Sequence, residues 1–255
     1  MLGGGLETDD DNGFRASAFA GFDLGDDTWL STGIAGSSIE LPFDRSGDIV
    51  YADLEIDHLF DPLGVSFGVG YWGDPDLLNS TDVRAALYFR NARFYVAGEY
   101  EHRDFDFTIP PTDFFPGREL TFDAAGVGAR LRYRFTESVS VAVSGMHYDY
   151  SVDFQPDVSR DAERLVSISR LGLINSLIDS RVSIGLMLDR GERRWQLDFS
   201  TWDGALDRST TESITLSYLH PASNRIDLEF SVGYDKSDLY GDVTFLSLFL
   251  YFYGN

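Results

Sequence analysis

Residues Arg225–Asp235 read R-I-D-L-E-F-S-V-G-Y-D. Ile226, Leu228, Phe230, Val232 and Tyr234 fall on one face of an extended chain. Arg225, Asp227, Glu229, Ser231, Gly233 and Asp235 fall on the other. Successive side chains of a strand point to opposite faces, so this is a strand with one apolar and one polar side. The alternation holds for about ten residues, the length a tilted strand needs to cross a bilayer. A soluble sandwich would bury the apolar side in protein. A transmembrane barrel turns it to lipid and keeps the polar side within.

The same pattern recurs along the chain. Ala16, Ala18, Ala20 and Phe22 form an outward set, then Leu30, Thr32 and Ile34. Val50, Ala52, Leu54 and Ile56 alternate with Tyr51, Asp53, Glu55 and Asp57. Val83, Ala85, Leu87 and Phe89 alternate with Arg84, Ala86, Tyr88 and Arg90, and Val127, Ala129 and Leu131 with Gly128, Arg130 and Arg132. Short connections (Gly25–Asp27, Asp61–Pro62, Asn91–Ala92, Thr136–Glu137, Arg190–Gly191, Pro221–Ser223) take turns with longer ones (Leu41–Gly47, Gly73–Ser80, Thr108–Gly117, Val152–Ser180, Asp203–Ser209, Lys236–Gly241). Outer-membrane barrels have short periplasmic turns and longer external loops, which is this alternation.

Two assignments keep the phase. LGGGLET at the amino end is a short first strand. Residues 161–179 carry Leu165, Ile168, Leu171, Ile174, Leu177 and Ile178 at spacings of three to four, a helical stripe. Read as a helix within a long external loop, the segment leaves an all-β, antiparallel up-and-down barrel of fourteen strands in one domain, residues 1–255, with both termini on the periplasmic side. Leu165, Ile168, Arg170, Leu171, Ile174 and Asn175 of that helix are candidates for a plug or gate. Aromatic residues are expected to band at both interfaces. One band would hold Trp29, Phe60, Phe89, Phe94, Tyr133, Phe135, Trp195, Tyr218 and Phe252; the other Phe22, Tyr71, Trp72, Tyr100, Trp202 and Tyr234.

Composition narrows the function. The net charge of -22 disfavours nucleic acid, which needs a basic footprint. Acidic loops on a membrane barrel would meet lipid and lipopolysaccharide head groups through divalent cations. Mean hydropathy is -0.16, and no apolar run is long enough for a transmembrane helix, a test that barrel strands do not register on. MLGGGLETDDD has neither a basic n-region nor an apolar h-region, so an export signal is expected to have been removed. There is no cysteine.

The polar faces are strongly charged. Asp53, Glu55, Asp57, Arg84, Arg90, Glu99, Glu101, Arg130, Arg132, Arg134, Asp198, Asp227 and Glu229 are the candidate lumen-lining residues. A barrel of this strand number is too wide for side chains alone to fill, and charged lumens hold water. The competing role is cross-strand pairing that only holds the wall together. His58, His102, His147 and His220 lack metal spacing. Ser144 and His147, three apart on a strand, project to opposite faces and make no local catalytic pair. No catalytic residue, metal or cofactor is expected.

The strand–turn pattern, the acidic hairpins and the ending YGDVTFLSLFLYFYGN resemble Gram-negative outer-membrane β-barrel proteins across nearly the whole chain. The acidic barrel is also similar to those closing exopolysaccharide-secretion proteins. The resemblance implies a bacterial outer-membrane location and insertion by the barrel-assembly machinery. The usual final aromatic is here followed by Gly254 and Asn255, which leaves recognition resting on Phe252 and Tyr253, or on trimming of the end. It implies a channel for polar solutes, or a conduit for an exported polymer with a periplasmic export partner. A structural or adhesive barrel with a sealed lumen is the alternative, and a lipid-modifying enzyme the second.

Overall fold

The computed structural model describes residues 1–10, 13–41, 45–74, 78–109, 118–151, 177–205, 208–239 and 241–254. Among them are fourteen strands: β1 (Leu2–Asp9), β2 (Phe14–Gly25), β3 (Thr28–Leu41), β4 (Arg45–Phe60), β5 (Leu63–Asp74), β6 (Leu78–Arg90), β7 (Phe94–Ile109), β8 (Arg118–Arg134), β9 (Val139–Tyr150), β10 (Ile178–Arg190), β11 (Arg193–Gly204), β12 (Thr210–Ser223), β13 (Ile226–Ser237) and β14 (Gly241–Phe252). Each strand pairs antiparallel with its sequence neighbour, and β1 closes on β14 from Leu2↔Phe252 to Asp9↔Phe245. Closure leaves no unpaired edge, which a lipid-embedded sheet requires. No helix among the described residues is long and apolar enough to cross a membrane.

The short turns are built by local side-chain chemistry. Gly25, Asp26 and Asp27 all take positive φ (83°, 50° and 57°), the backbone a tight hairpin demands, and Asp23 Oδ1 accepts from the Gly25 N–H at 2.8 Å. Asn91 Oδ1 accepts from the N–H groups of both Arg93 and Phe94 at 2.8 Å. Thr136 Oγ1 receives those of Ser138 (3.2 Å) and Val139 (3.1 Å).

The outer surface is apolar. Phe230, Val232 and Tyr234 of the opening stretch are 49%, 43% and 40% exposed, and Val127 is 66% exposed. Keeping such a belt in water would cost roughly 25 cal/mol per Å² of apolar surface, a cost that lipid would remove. Ile226 and Leu228 share the face, half-buried at the start of β13.

Inside, rings lie against glycines. A Cβ on Gly3 would strike the Phe19 ring, on Gly5 the Phe249 ring, on Gly233 the Phe245 ring, on Gly64 the Tyr88 ring and on Gly126 the Tyr148 ring. Each pair sits directly opposite across two strands. The glycines therefore let large rings lie along the wall instead of projecting into the bore. Gly233→Val is expected to displace the Phe245 ring and cost about 1–3 kcal/mol in urea unfolding from lipid vesicles. Gly36→Ala, where a Cβ meets open space, is the control and should leave stability nearly unchanged.

Three expectations need correction. Residues 161–176 of the expected helix, with Leu165, Ile168, Arg170, Leu171, Ile174 and Asn175, lie outside the described residues. Ile178 and Asp179, which it also included, instead open β10, with Ile178 paired to Gly204. Leu177 and Ile178 fit the helical spacing only because apolar residues are adjacent there; both are buried in an interior cluster. Trp72 and Trp202 do not stand in the lipid-facing band. They are 7% and 6% exposed and pack with Leu78, Phe105 and Phe107 inside the loop end of the barrel. Trp29 also has interior register, opposite Asp57. Near a strand end an aromatic residue fits either the girdle or an interior cluster, and its parity decides which.

Candidate functional site: the charged interior

The candidate lining residues share one face of the wall through an unbroken set of cross-strand neighbours. Asp53, Glu55 and Asp57 on β4 oppose Gly70, Gly68 and Ser66 on β5, which oppose Asp82, Arg84 and Ala86 on β6. Arg84 and Arg90 oppose Glu101 and Tyr95 on β7, and Glu99, Ala97 and Tyr95 oppose Gly128, Arg130 and Arg132 on β8. Arg134 opposes Ser140 on β9. Asp198 on β11 lies between Gly185 and Thr215, and Asp227 and Glu229 on β13 oppose Tyr251 and Phe249. The small residues of β5 and β8 are what give the charged side chains room to lie across the wall and meet.

Sequence marked these residues but not their partners. Arg84 Nη2 lies 2.5 Å from Asp53 Oδ2, and its Nε lies 2.9 Å from Asp82 Oδ2. Arg103 Nε donates to Glu101 Oε1 at 2.7 Å, while Tyr148 Oη donates to Glu101 Oε2 at 2.6 Å. The Arg103 guanidinium also sits 4.8 Å from the Tyr148 ring centre. Arg130 Nη2 is 3.1 Å from Glu99 Oε1, and Tyr88 Oη donates to Asp57 Oδ1 at 2.8 Å. Planar guanidinium forks suit such shared carboxylate contacts. Arg103 shares the inward face of its strand with Glu99 and Glu101 by alternation alone, and the structure adds Asp82, Tyr148 and Arg181 to the interior. Asp82 and Arg181, each next to an outward valine, are legible from parity; their contacts are not.

The two halves of the wall differ. On β4 to β8 Asp53, Asp82, Glu99 and Glu101 are matched by arginines, and Asp57 by Tyr88. On β11 to β14 the partners are neutral: Asp198 accepts from Gln196 Nε2 at 2.8 Å, and Glu229 from Tyr251 Oη at 2.8 Å. Asp227 accepts from Tyr253 Oη at 2.9 Å. Ser217 and Ser231 bridge β12 and β13 with their hydroxyls 2.8 Å apart. The paired half faces a cavity of about 410 Å³ lined by Glu55, Asp57, Arg84, Glu99, Arg130 and Arg181, among others. Among the described residues no three His, Asp or Glu side chains gather as a metal site. Ser144 has interior register opposite Ser183, while His147 is 61% exposed on the outer face, so the wall separates them.

No protein-family model matches the chain, and no curated protein matches it. Solved structures do. The barrel is similar to the CymD monoaromatic hydrocarbon channel, at 10% identity and a TM-score of 0.60, covering 100% of this chain and 88% of that one. It is similar to the NanC porin at 9% identity and 0.52, covering 100% of both. It is similar to the KdgM porin in complex with disordered oligogalacturonate at 10% identity and 0.50, covering 100% and 99%. At such identities the likeness is one of fold, and the fold is the closed porin-like β-barrel.

Proposed function

We propose that the chain is a bacterial outer-membrane channel for polar solutes. The observation that carries the reading is the two-sided wall: an apolar exterior, and an ion-paired interior facing a cavity of about 410 Å³. A wall built only for stability gains nothing from charges inside, since apolar packing would serve as well. The porin-like fold of the similar structures supports the reading. Lipopolysaccharide, the barrel-assembly machinery acting on Phe252 and Tyr253, and a periplasmic export partner for a polymer cargo belong to this proposal.

One observation favours a sealed structural barrel instead. Trp72, Phe105, Phe107, Leu177, Ile178 and Trp202 fill part of the bore at the loop end. Planar-bilayer recording separates the two. A channel gives discrete conductance steps, with a fall in conductance when Ser231 on the interior face of β13 is replaced by Trp. Absence of steps in wild type, at any applied voltage, would rule out the channel.

A further inference from the structure

Four arginines converge at the short-turn end of the barrel. Arg90 closes β6, Arg93 sits in the turn to β7, and Arg132 and Arg134 close β8. With Asn91, Tyr95 and neighbouring residues they line a cavity of about 270 Å³. The chain has 42 acidic and only 20 basic residues, so four of its few cations share one small space. Further along the lumen Arg84 has two carboxylate partners and Arg103 and Arg130 one each, while Arg181 stands beside Tyr148. None of Arg90, Arg93, Arg132 and Arg134 is ion-paired to a carboxylate among the described residues. Of the acids facing Tyr95, Asp57 holds Tyr88 and Glu99 holds Arg130.

The backbone under the cluster is pinned. Asn91 Oδ1 holds the Arg93 and Phe94 N–H groups, and the Asn91 N–H donates to the Phe94 carbonyl at 2.8 Å. The Arg134 N–H donates to the Arg93 carbonyl at 2.9 Å, tying the turn to β8, and the Arg90 N–H donates to the Pro62 carbonyl at 2.9 Å. Stacked Tyr88 and Tyr95 rings, 5.3 Å apart, back the site. Like charges held together on a fixed frame repel one another, and a bound anion removes that cost. Guanidinium forks match the paired oxygens of a phosphate group, and several around one cavity suit a ligand with more than one negative charge.

We infer that this cavity is a binding site for a multivalent oxyanion of the phosphate type. Two sources share that chemistry: the head group of an anionic lipid in the adjoining leaflet, and a free phosphorylated solute at the mouth. The site stands apart from the conducting property proposed above, because it is read by binding alone. The test uses the folded barrel in a neutral maltoside detergent. Calorimetric titration with tripolyphosphate addresses the solute. Native mass spectrometry of micelles holding phosphatidylglycerol and phosphatidylcholine addresses the lipid. The double variant Arg132→Gln, Arg134→Gln is expected to weaken anion binding by roughly a hundredfold, about tenfold for each charge-assisted contact removed. Arg132→Lys should keep the charge and lose the fork, for a smaller loss. Resistance of the barrel to unfolding in cold detergent gels shows that each variant is folded. Selective retention of phosphatidylglycerol with no tripolyphosphate binding assigns the lipid source, and the reverse assigns the solute. If wild type and the double variant bind both anions equally weakly, the inference is overturned, whatever the conductance shows.

Discussion

Val232→Arg is expected to destabilise the folded barrel by about 2–4 kcal/mol, the cost of a cation at the bilayer midplane. Val232 lies near the middle of β13 and is 43% exposed on the apolar face. Its neighbour Ser231 lies on the other face, bonded to Ser217. Ser231→Ala therefore loses one hydroxyl pair beside a wet interior, roughly 0.5–1.5 kcal/mol at most. Urea unfolding from vesicles of a thin-chain phosphatidylcholine measures both. If Val232→Arg is the milder of the two, the apolar face is not in lipid and the membrane reading falls.

Removing Arg84 should have the next largest effect. Its guanidinium holds Asp53 and Asp82, which are 20% and 12% exposed at the side chain. Arg84→Met leaves two carboxylates close together with no cation between them. Breaking a buried pair from one side costs roughly 3–5 kcal/mol, and water in the lumen brings the expectation to the lower end. The triple variant Arg84→Met, Asp53→Asn, Asp82→Asn removes the stranded charge and should recover more than half of the loss. Failure of that rescue would mean that Arg84 matters by filling space rather than by charge. The same cycle sorts the interior charges: pairs that hold the wall show strong coupling, and charges facing only water show little.

Much of the fold was legible in the chain. Alternation such as Ile226–Tyr234, with the regular exchange of short and long connections, was enough for fourteen strands and for both termini at the short-turn end, where Leu2 pairs with Phe252. Parity also placed the charged candidates, since Asp227 and Glu229 cannot share a face with Leu228. Strand ends were less legible. Trp72 and Trp202 look like girdle residues until their register is known, and Leu177–Ile178 continues a helical spacing that the strand pairing with Gly204 overrides.

What the sequence determined by itself was the periodicity: which residues extend, which face is apolar, and so a wall with one apolar and one polar side. This is local physics, because a strand's two faces follow from its own backbone. Which charge meets which was decided by the tertiary structure alone. Arg84 reaches Asp53 across thirty-one positions and Tyr148 reaches Glu101 across forty-seven, contacts that exist only once the strands have taken their stagger. The ring–glycine pairs and the four-arginine mouth belong to the same level. They need the closed barrel, which sets side by side segments that no spacing along the chain connects.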